Sequence, residues 1–132
     1  MSCDIYCFAE VKYKAAWKFA GEVQMERHYD IFAKMAGVRN DDDMITPIAL
    51  PRDVPVDADD LTKLVLSDKN YHTHSYLSLS EMKVLDKWVE KSEDGKVLKW
   101  RYIKWPYSIM KDNLKIRYYK IEDIRFVFAF EC

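Results

Sequence analysis

The chain has 132 residues, of which 49% are apolar, and this is enough for one ordinary domain with its own hydrophobic core. With only three glycines and four prolines, it does not have the composition of a disordered or low-complexity chain. Because the formal net charge is only -1, we expect neither nucleic acid nor a membrane surface as a partner.

Three elements are predicted in the first part of the chain. Alternating side chains predict a β-strand over residues 3–11, and residues 16–23 predict a second strand that returns beside it after a turn at 12–14. A helix is predicted over 26–36, because apolar side chains recur there at spacings of three and four residues. Gly37 follows at the usual position for the end of a helix.

A long loop is predicted over residues 38–60, where Pro47, Pro51 and Pro55 prevent a continuous helix. Loops of this length in small domains are often functional. Aspartates make this loop acidic: Asp41, Asp42, Asp43, Asp53, Asp57, Asp59 and Asp60.

The next predicted helix begins at a capping box formed by Ser78 and Glu81, and it ends near Ser92. A turn signal follows. Residues 97–105 then favour a strand, and residues 108–119 are compatible with either a helix or a strand.

The clearest strand is the last one, residues 124–132, in which Phe126, Phe128 and Phe130 alternate with other apolar side chains. A strand that is apolar on both faces is expected inside a sheet, here beside the first strand. Strands near both ends of the sequence with helices between them favour a single α+β domain over residues 1–132. We expect a small, mostly antiparallel sheet that includes both of these strands, two to three helices and the long Asp/Pro-rich loop.

The number of cysteines indicates the cellular compartment in which the protein is expected. Cys3, Cys7 and Cys132 are an odd number of thiols, and the sequence shows neither a signal peptide nor the ~20 apolar residues that cross a bilayer. We therefore expect a cytoplasmic protein whose cysteines are buried free thiols. A zinc site built from the three cysteines is the alternative, since Cys132 comes beside the other two if the strands pair.

The most informative run is residues 70–76, which holds two of the three histidines beside serine, asparagine and tyrosine. These side chains offer donors, acceptors and stacking surfaces, which predicts a polar pocket. His72 and His74 are two residues apart, so an extended segment would place both imidazoles on one side. Metal sites use this arrangement, with Asp4, His28 or a loop aspartate as a third ligand. We favour hydrogen bonds to the backbone, and we expect no metal and no cofactor.

Two arginines flank the loop, Arg39 and Arg52. A guanidinium can grip a phosphate at two points, although pairing with the nearby aspartates is an equal alternative. Residues 96–125 are rich in basic and aromatic side chains, which are typical of sites that bind free nucleotides or single-stranded nucleic acid. A solvated face over an aromatic core is the alternative for that segment.

Five segments together carry a resemblance. They are a Met-x-Cys-Asp-Ile start at 1–6, a helix ending in Val-Arg-Asn at 29–40, a Pro-Ile-x-x-Pro-Arg-x-x-Pro loop at 47–55, a His-x-His-Ser run before a Leu-x-Leu-x-Glu helix at 72–81, and an Arg-x-Val-Phe-like strand at 125–130. In this order they resemble a family of small bacteriophage proteins. Tyr6 stands where that family has a histidine, which weakens a metal site built on it, and Thr73 replaces a serine.

The resemblance implies a phage origin and, by itself, no activity. Small phage proteins often counter host defence, and some sequester nucleotide signals of Thoeris or CBASS immune systems. By analogy, we expect a protein of the host bacterial cytoplasm that binds a phosphate-containing nucleotide signal, a cyclic nucleotide or an ADP-ribose derivative, without cleaving it. Arginines would grip phosphate, amide, imidazole and hydroxyl groups would bind ribose or base, and an aromatic ring would stack. The expected ligand-binding residues are Tyr6, Arg39, Asn40, Arg52, His72, His74, Ser75, Tyr76 and Trp105.

Two other functions stay open, together with association into homo-oligomers. One is an enzyme, a phosphoesterase or metal-dependent hydrolase, that degrades such a signal through His72 or His74 with Asp4 as partner. The other is a protein–protein inhibitor that blocks a host factor through its aromatic surface.

Overall fold

The computed structural model of the chain describes residues 2–25, 27–41, 44–91 and 122–132. The predicted strand at 97–105, the ambiguous segment at 108–119 and Trp105 lie outside these residues. The described elements are, in chain order, β1 Asp4–Tyr13, β2 Ala16–Val23, α1 Tyr29–Ala36, α2 Asp60–Val65, β3 His72–Ser78, α3 Leu79–Lys91 and β4 Asp123–Glu131.

The described strands form one four-stranded antiparallel sheet in the order β2-β1-β4-β3. The predicted α+β class is confirmed, with three helices beside this sheet. Strand β4 lies between β1 and β3, and residues 124–130 are all buried, as expected for a strand that is apolar on both sides. It pairs with β1 from Asp4 opposite Glu131 to Lys12 opposite Asp123, so the first and last strands are neighbours as predicted.

A two-residue turn joins β1 to β2. Lys14 and Ala15 have positive φ angles of 51° and 62°, which is the backbone of a type I′ hairpin turn. The predicted turn at 12–14 is therefore displaced toward the C-terminus, because β1 continues to Tyr13.

One side of the sheet, the helix-covered face, packs against α1 and α3. Phe126, Phe128 and Phe130 of β4 point to this side, where they join Phe32 of α1 and Leu85 of α3 in one apolar core. Alternation along β4 explains why the three phenylalanines share a side.

Two local signals for these helices are confirmed. Helix α1 begins at Tyr29, later than predicted, and ends at Gly37, whose φ of 76° allows its N–H to bond the Ala33 carbonyl at 2.8 Å. The capping box before α3 also forms, since the Ser78 N–H donates to Glu81 Oε1 at 2.9 Å and the Glu81 N–H donates to Ser78 Oγ at 3.2 Å.

The other side of the sheet, the loop-covered face, packs against α2 and the loop that precedes it. Leu66, Val127 and Ala129 form a small apolar cluster there. Buried charges lie on the same face, among them Glu10 and Arg125. The long loop is present as predicted, but α2 was not predicted.

Candidate functional site

The two histidines of the 70–76 run lie on opposite faces of the sheet. Thr73 has a φ of 55°, and the register shifts there: His72 is opposite Phe130, while Ser75 is opposite Phe128. Three steps along β3 thus match two along β4, which is a β-bulge, and the extra residue reverses the alternation. The prediction that both imidazoles share one side is therefore wrong.

Each imidazole has its own surroundings. The His72 ring lies on the helix-covered face, 6.4 Å from the Phe130 ring centroid, and its Nδ1 is 2.8 Å from Thr73 Oγ1. The His74 ring lies on the loop-covered face, where its Nε2 is 2.9 Å from the Leu66 carbonyl oxygen. The expected hydrogen bond to the backbone is thus made by His74, and it joins β3 to the end of α2.

Arg52 holds the loop against β3 and α3. Its two terminal nitrogens donate to the Glu81 carboxylate at 2.7 and 2.6 Å, and one also donates to the Tyr76 carbonyl at 3.1 Å. The Arg52 N–H donates to the buried Ser75 hydroxyl at 3.1 Å. The paired guanidinium lowers the pKa of the Glu81 carboxyl to about 2. Arg52 does pair with a carboxylate, but with that of the capping box rather than with a loop aspartate.

Arg39 and Asn40 follow α1. The Arg39 guanidinium lies over the Tyr29 ring, 4.9 Å from its centroid. The Asn40 amide closes the start of the loop, because it donates to the Ile45 carbonyl at 2.7 Å and accepts from the Ile45 N–H at 3.3 Å. The Cys3 N–H donates a hydrogen bond to the Tyr29 hydroxyl oxygen at 3.2 Å. Arg39 is thus connected through Tyr29 to the start of β1.

Tyr6 already stacks on another ring. Its ring centroid is 4.7 Å from that of Tyr71, with 18° between the planes, on the loop-covered face. Burial raises the pKa of both phenols, and the Glu131 and Asp68 carboxylates raise it further. The negative charge of these carboxylates disfavours a phosphate beside the Tyr6–Tyr71 pair.

Two cysteines come together where β1 begins and β4 ends. The register of this pair, continued one residue beyond Asp4 and Glu131, sets Cys3 opposite Cys132, and the two form a disulfide with Cα atoms 4.0 Å apart. The prediction of free thiols is wrong for these two residues. It is confirmed for Cys7, which is buried, and burial raises the pKa of that thiol to about 12.

His72 joins the two cysteines at this end of the sheet. The ligand atoms of Cys3, His72 and Cys132 all lie within 4.8 Å of one another. Strand β4 lies between β1 and β3, and the three residues come from the start of β3 and from the positions just before β1 and just after β4. Cys7 is not in the group, so the three-cysteine site is not the one that forms. The pairing of β1 with β4 could have suggested the two cysteines, but placing His72 beside them also required the pairing of β3.

Six of the eight described residues that were predicted to bind a ligand fall into two groups, while Tyr6 stacks on Tyr71 and Asn40 bonds to Ile45. The first, here called the cysteine end, comprises Cys3, Tyr29, Arg39, His72 and Cys132 and includes two of them. The second lies along the loop and β3 and comprises Arg52, His74, Ser75 and Tyr76. Their role in binding stays a prediction.

Chemically, the cysteine end offers a guanidinium, an imidazole and two sulfurs.

Within the described ranges, no helix is both long enough and apolar enough to cross a bilayer. The comparisons with known proteins are negative: no family model, no curated protein and no solved structure matches this chain.

Proposed function

We propose that the protein is a phage-encoded binding protein that sequesters a phosphate-containing nucleotide signal, a cyclic nucleotide or an ADP-ribose derivative, without cleaving it. The observation that carries the proposal is that the Arg39 guanidinium lies over the Tyr29 ring, whose hydroxyl bonds to Cys3 beside the exposed imidazole of His72. A guanidinium fork suits phosphate, and an imidazole suits the hydroxyl and ring nitrogen atoms of a nucleoside.

The Arg39 side chain is partly prepared for this task. Its guanidinium lies 4.9 Å from the centroid of the Tyr29 ring, and this contact restricts the positions that the side chain adopts. A side chain that is already restricted loses less entropy when a ligand binds. We add Tyr29 to the proposed site, because its ring holds the Arg39 guanidinium.

The residues along β3 have a supporting role in this proposal. Arg52, Ser75 and His74 each make a hydrogen bond that joins the loop or α2 to β3. We therefore centre the site on Arg39, Tyr29 and His72.

Contacts at the same end of the sheet favour binding over hydrolysis. A hydrolase needs a general base oriented toward the substrate. The Nδ1 of His72 bonds to the neighbouring Thr73 hydroxyl, and the carboxylate of Asp4 is ion-paired with Arg27 at 2.7 Å. Neither contact forms the imidazole–carboxylate pair of the hydrolase alternative.

The phage origin and the role against host defence rest on the resemblance of the five segments described above. The proposed place of action is the cytoplasm of the infected bacterium, where such signals are made.

Thermal unfolding with a panel of ligands tests the proposal. The panel contains cyclic dinucleotides, cyclic ADP-ribose and ADP-ribose, with adenosine as the control that lacks phosphate. A ligand at one hundred times its Kd stabilises the folded state by about 2.7 kcal/mol, which is a rise of several degrees in Tm. If none of the phosphate-containing ligands raises the Tm, the proposal fails.

Variants locate the site. Arg39→Ala should weaken binding of the selected nucleotide at least about tenfold, and Arg39→Lys should do so less, because it keeps the charge and loses the fork. Lys18→Ala is the matched control, since Lys18 is an exposed cation on β2 at the far edge of the sheet. Equal affinities for the Arg39 and Lys18 alanine variants would contradict the proposed site.

Recovery of the ligand separates sequestration from cleavage. After incubation and denaturation, mass spectrometry should find the nucleotide intact. Product formation that depends on His72 would support the hydrolase alternative.

A further inference from the structure

We propose that Cys3, His72 and Cys132 bind a zinc ion when the two thiols are reduced, so that the zinc site and the disulfide are alternative states of the same residues. The inference does not depend on a nucleotide ligand, and because both would use the imidazole of His72, zinc and the proposed nucleotide compete for that side chain.

The geometry requires little rearrangement. The three candidate ligand atoms lie within 4.8 Å of one another. Zinc binds sulfur at about 2.3 Å and imidazole nitrogen at about 2.0–2.1 Å, so ligands on one tetrahedral ion are separated by a little under 4 Å. Once the disulfide is reduced, side-chain rotations need only move the two sulfurs apart to this spacing and bring the imidazole nitrogen to the same distance from them.

The backbone fixes the three positions. Cys3 and Cys132 lie one residue beyond the Asp4–Glu131 pair that ends the β1–β4 ladder, and His72 is opposite Phe130, two residues before Cys132. Diagonal neighbours across an antiparallel pair are within reach of long or aromatic side chains. The bulge at Thr73 contributes as well, because it sends His72, and not His74, to the side of the cysteines.

The donor set selects the metal. Two thiolates and one imidazole are typical zinc ligands, whereas magnesium and calcium prefer oxygen. Three protein ligands leave the fourth tetrahedral position for water or another small ligand. Cys7 is excluded from the set, because its sulfur is not among the ligand atoms that lie within 4.8 Å of one another.

The two states are connected by a balanced reaction. When zinc binds, each of the two thiols releases one proton. Oxidation requires a two-electron oxidant of the disulfide class, such as oxidised glutathione. One Cys sulfur attacks this disulfide and forms a mixed disulfide, and the other Cys sulfur then displaces the second glutathione. The Cys3–Cys132 bond forms, the zinc ion is released, and the two departing glutathione thiolates take up two protons from water, equal in number to those released when zinc bound.

Cobalt substitution under anaerobic conditions is the first test. The fully reduced protein should bind one Co²⁺ and show the thiolate-to-cobalt charge-transfer and tetrahedral d–d absorption of such a site. Zinc added in equal amount should displace the cobalt and remove the absorption, because this donor set prefers zinc. Protein previously oxidised with glutathione disulfide should bind neither ion. A reduced protein without the charge-transfer band, or an oxidised protein with it, overturns the inference.

A pair of histidine variants supplies the matched control. His72→Ala removes an exposed ligand and should weaken zinc binding at least about tenfold. His74→Ala removes the other imidazole of the run, on the opposite face, and should leave zinc affinity unchanged. Equal losses in the two variants, or no loss in either, contradict the proposed ligand set.

Cysteine accessibility gives a second readout. In the reduced protein, zinc should slow alkylation of Cys132 by iodoacetamide, and mass spectrometry can follow each cysteine separately. In His72→Ala, about ten times more zinc or more should be needed for the same protection. Cys132→Ser should abolish both the disulfide and cobalt binding, and because Cys132 is exposed the variant should stay folded. Alkylation that zinc does not slow would overturn the inference.

Discussion

The two faces of the sheet are stabilised in different ways, although one strand supplies both. On the helix-covered face, Phe126, Phe128 and Phe130 pack into an apolar core. On the loop-covered face, Arg125 of the same strand forms an ion pair with Glu10. Apolar packing has no preferred direction, so many side chains of similar size can fill the first face. A buried ion pair is directional, so the second face depends on particular partners.

The partners of Glu10 account for both of its oxygens. Oε1 accepts from Arg125 Nε at 2.8 Å, and Oε2 accepts from the Thr62 hydroxyl at 2.7 Å and from the Asp59 N–H at 2.8 Å. Arg125 in turn lies 3.9 Å from the centroid of the Trp17 ring. This arrangement attaches the start of α2 to the centre of the sheet, which no apolar stripe of α2 does, since Thr62 is the buried residue of that helix.

The largest effect is expected from Glu10→Ala. The substitution leaves Arg125 nine-tenths buried without its main partner, and breaking a buried pair in this way costs about 3–5 kcal/mol. Urea unfolding followed by circular dichroism should show this as a lower transition midpoint. Asp57→Ala is the control, because Asp57 bonds the same guanidinium at 3.0 Å but is 63% exposed, and it should cost about 1 kcal/mol or less.

A double replacement sharpens the comparison between the faces. Glu10→Leu together with Arg125→Met removes both charges and keeps most of the volume, so it should recover a large part of the loss caused by Glu10→Ala. If the double variant is as unstable as the single one, charge pairing is not what distinguishes the loop-covered face.

On the helix-covered face, Phe128→Leu should cost only about 1–2 kcal/mol. The ring of Phe128 is fully buried, but leucine is also apolar and leaves only a small cavity. The same urea titration measures the change. A cost as large as that of Glu10→Ala would show that this core also requires one particular side chain.

The difference between apolar packing and directional ion pairs also explains which parts of the fold could be predicted from the sequence. Alternation predicted β1, β2 and β4, and the three-and-four spacing with its stops predicted α1 and α3, because apolar packing leaves a periodic pattern. Helix α2 has six residues and a single buried one, so it has no periodicity to detect. The ion pair joins Glu10 to Arg125, and local patterns carry no information about partners so far apart in the chain.

The candidate site was harder to predict for a related reason. The side of the sheet that His72 faces depends on the bulge at Thr73, a β-branched residue that rarely adopts a positive φ. Without that bulge, the spacing of the two histidines places them on one side. The meeting of Cys3 with Cys132 depends on the register of the first and last strands, which hydrophobic patterns fix only once the pairing itself is known.

The Arg52–Glu81 pair tests an intermediate case, an ion pair at the edge of the loop-covered face. The folded pKa of Glu81, about 2, is below its ordinary value of 4.5, so the pair stabilises the fold above pH 4.5 and loses this contribution as the pH falls toward 2. Arg52→Ala should cost about 1 kcal/mol at neutral pH and less at pH 3. Unfolding in urea at the two pH values measures this. Arg27→Ala is the matched control, since its pair with Asp4 is more exposed and should cost less. A pH-independent cost for Arg52→Ala would contradict the assignment.

The smallest effect is expected at the β1–β2 turn, which belongs to neither face. Ala15 has a φ of 62°, where a side chain costs energy that glycine avoids, and its N–H bond to Glu122 Oε1 at 3.1 Å survives the change to glycine. Ala15→Gly should therefore stabilise the protein by up to about 1 kcal/mol, whereas Ala16→Gly, one residue further on in β2, should destabilise it by about 0.5–1 kcal/mol. Combined with Glu10→Ala, the turn substitution should be additive within about 0.5 kcal/mol, because the two sites share no contact partner. A larger deviation would mean that the turn and the loop-covered face are coupled, and the contrast between the faces would then have to include the hairpin.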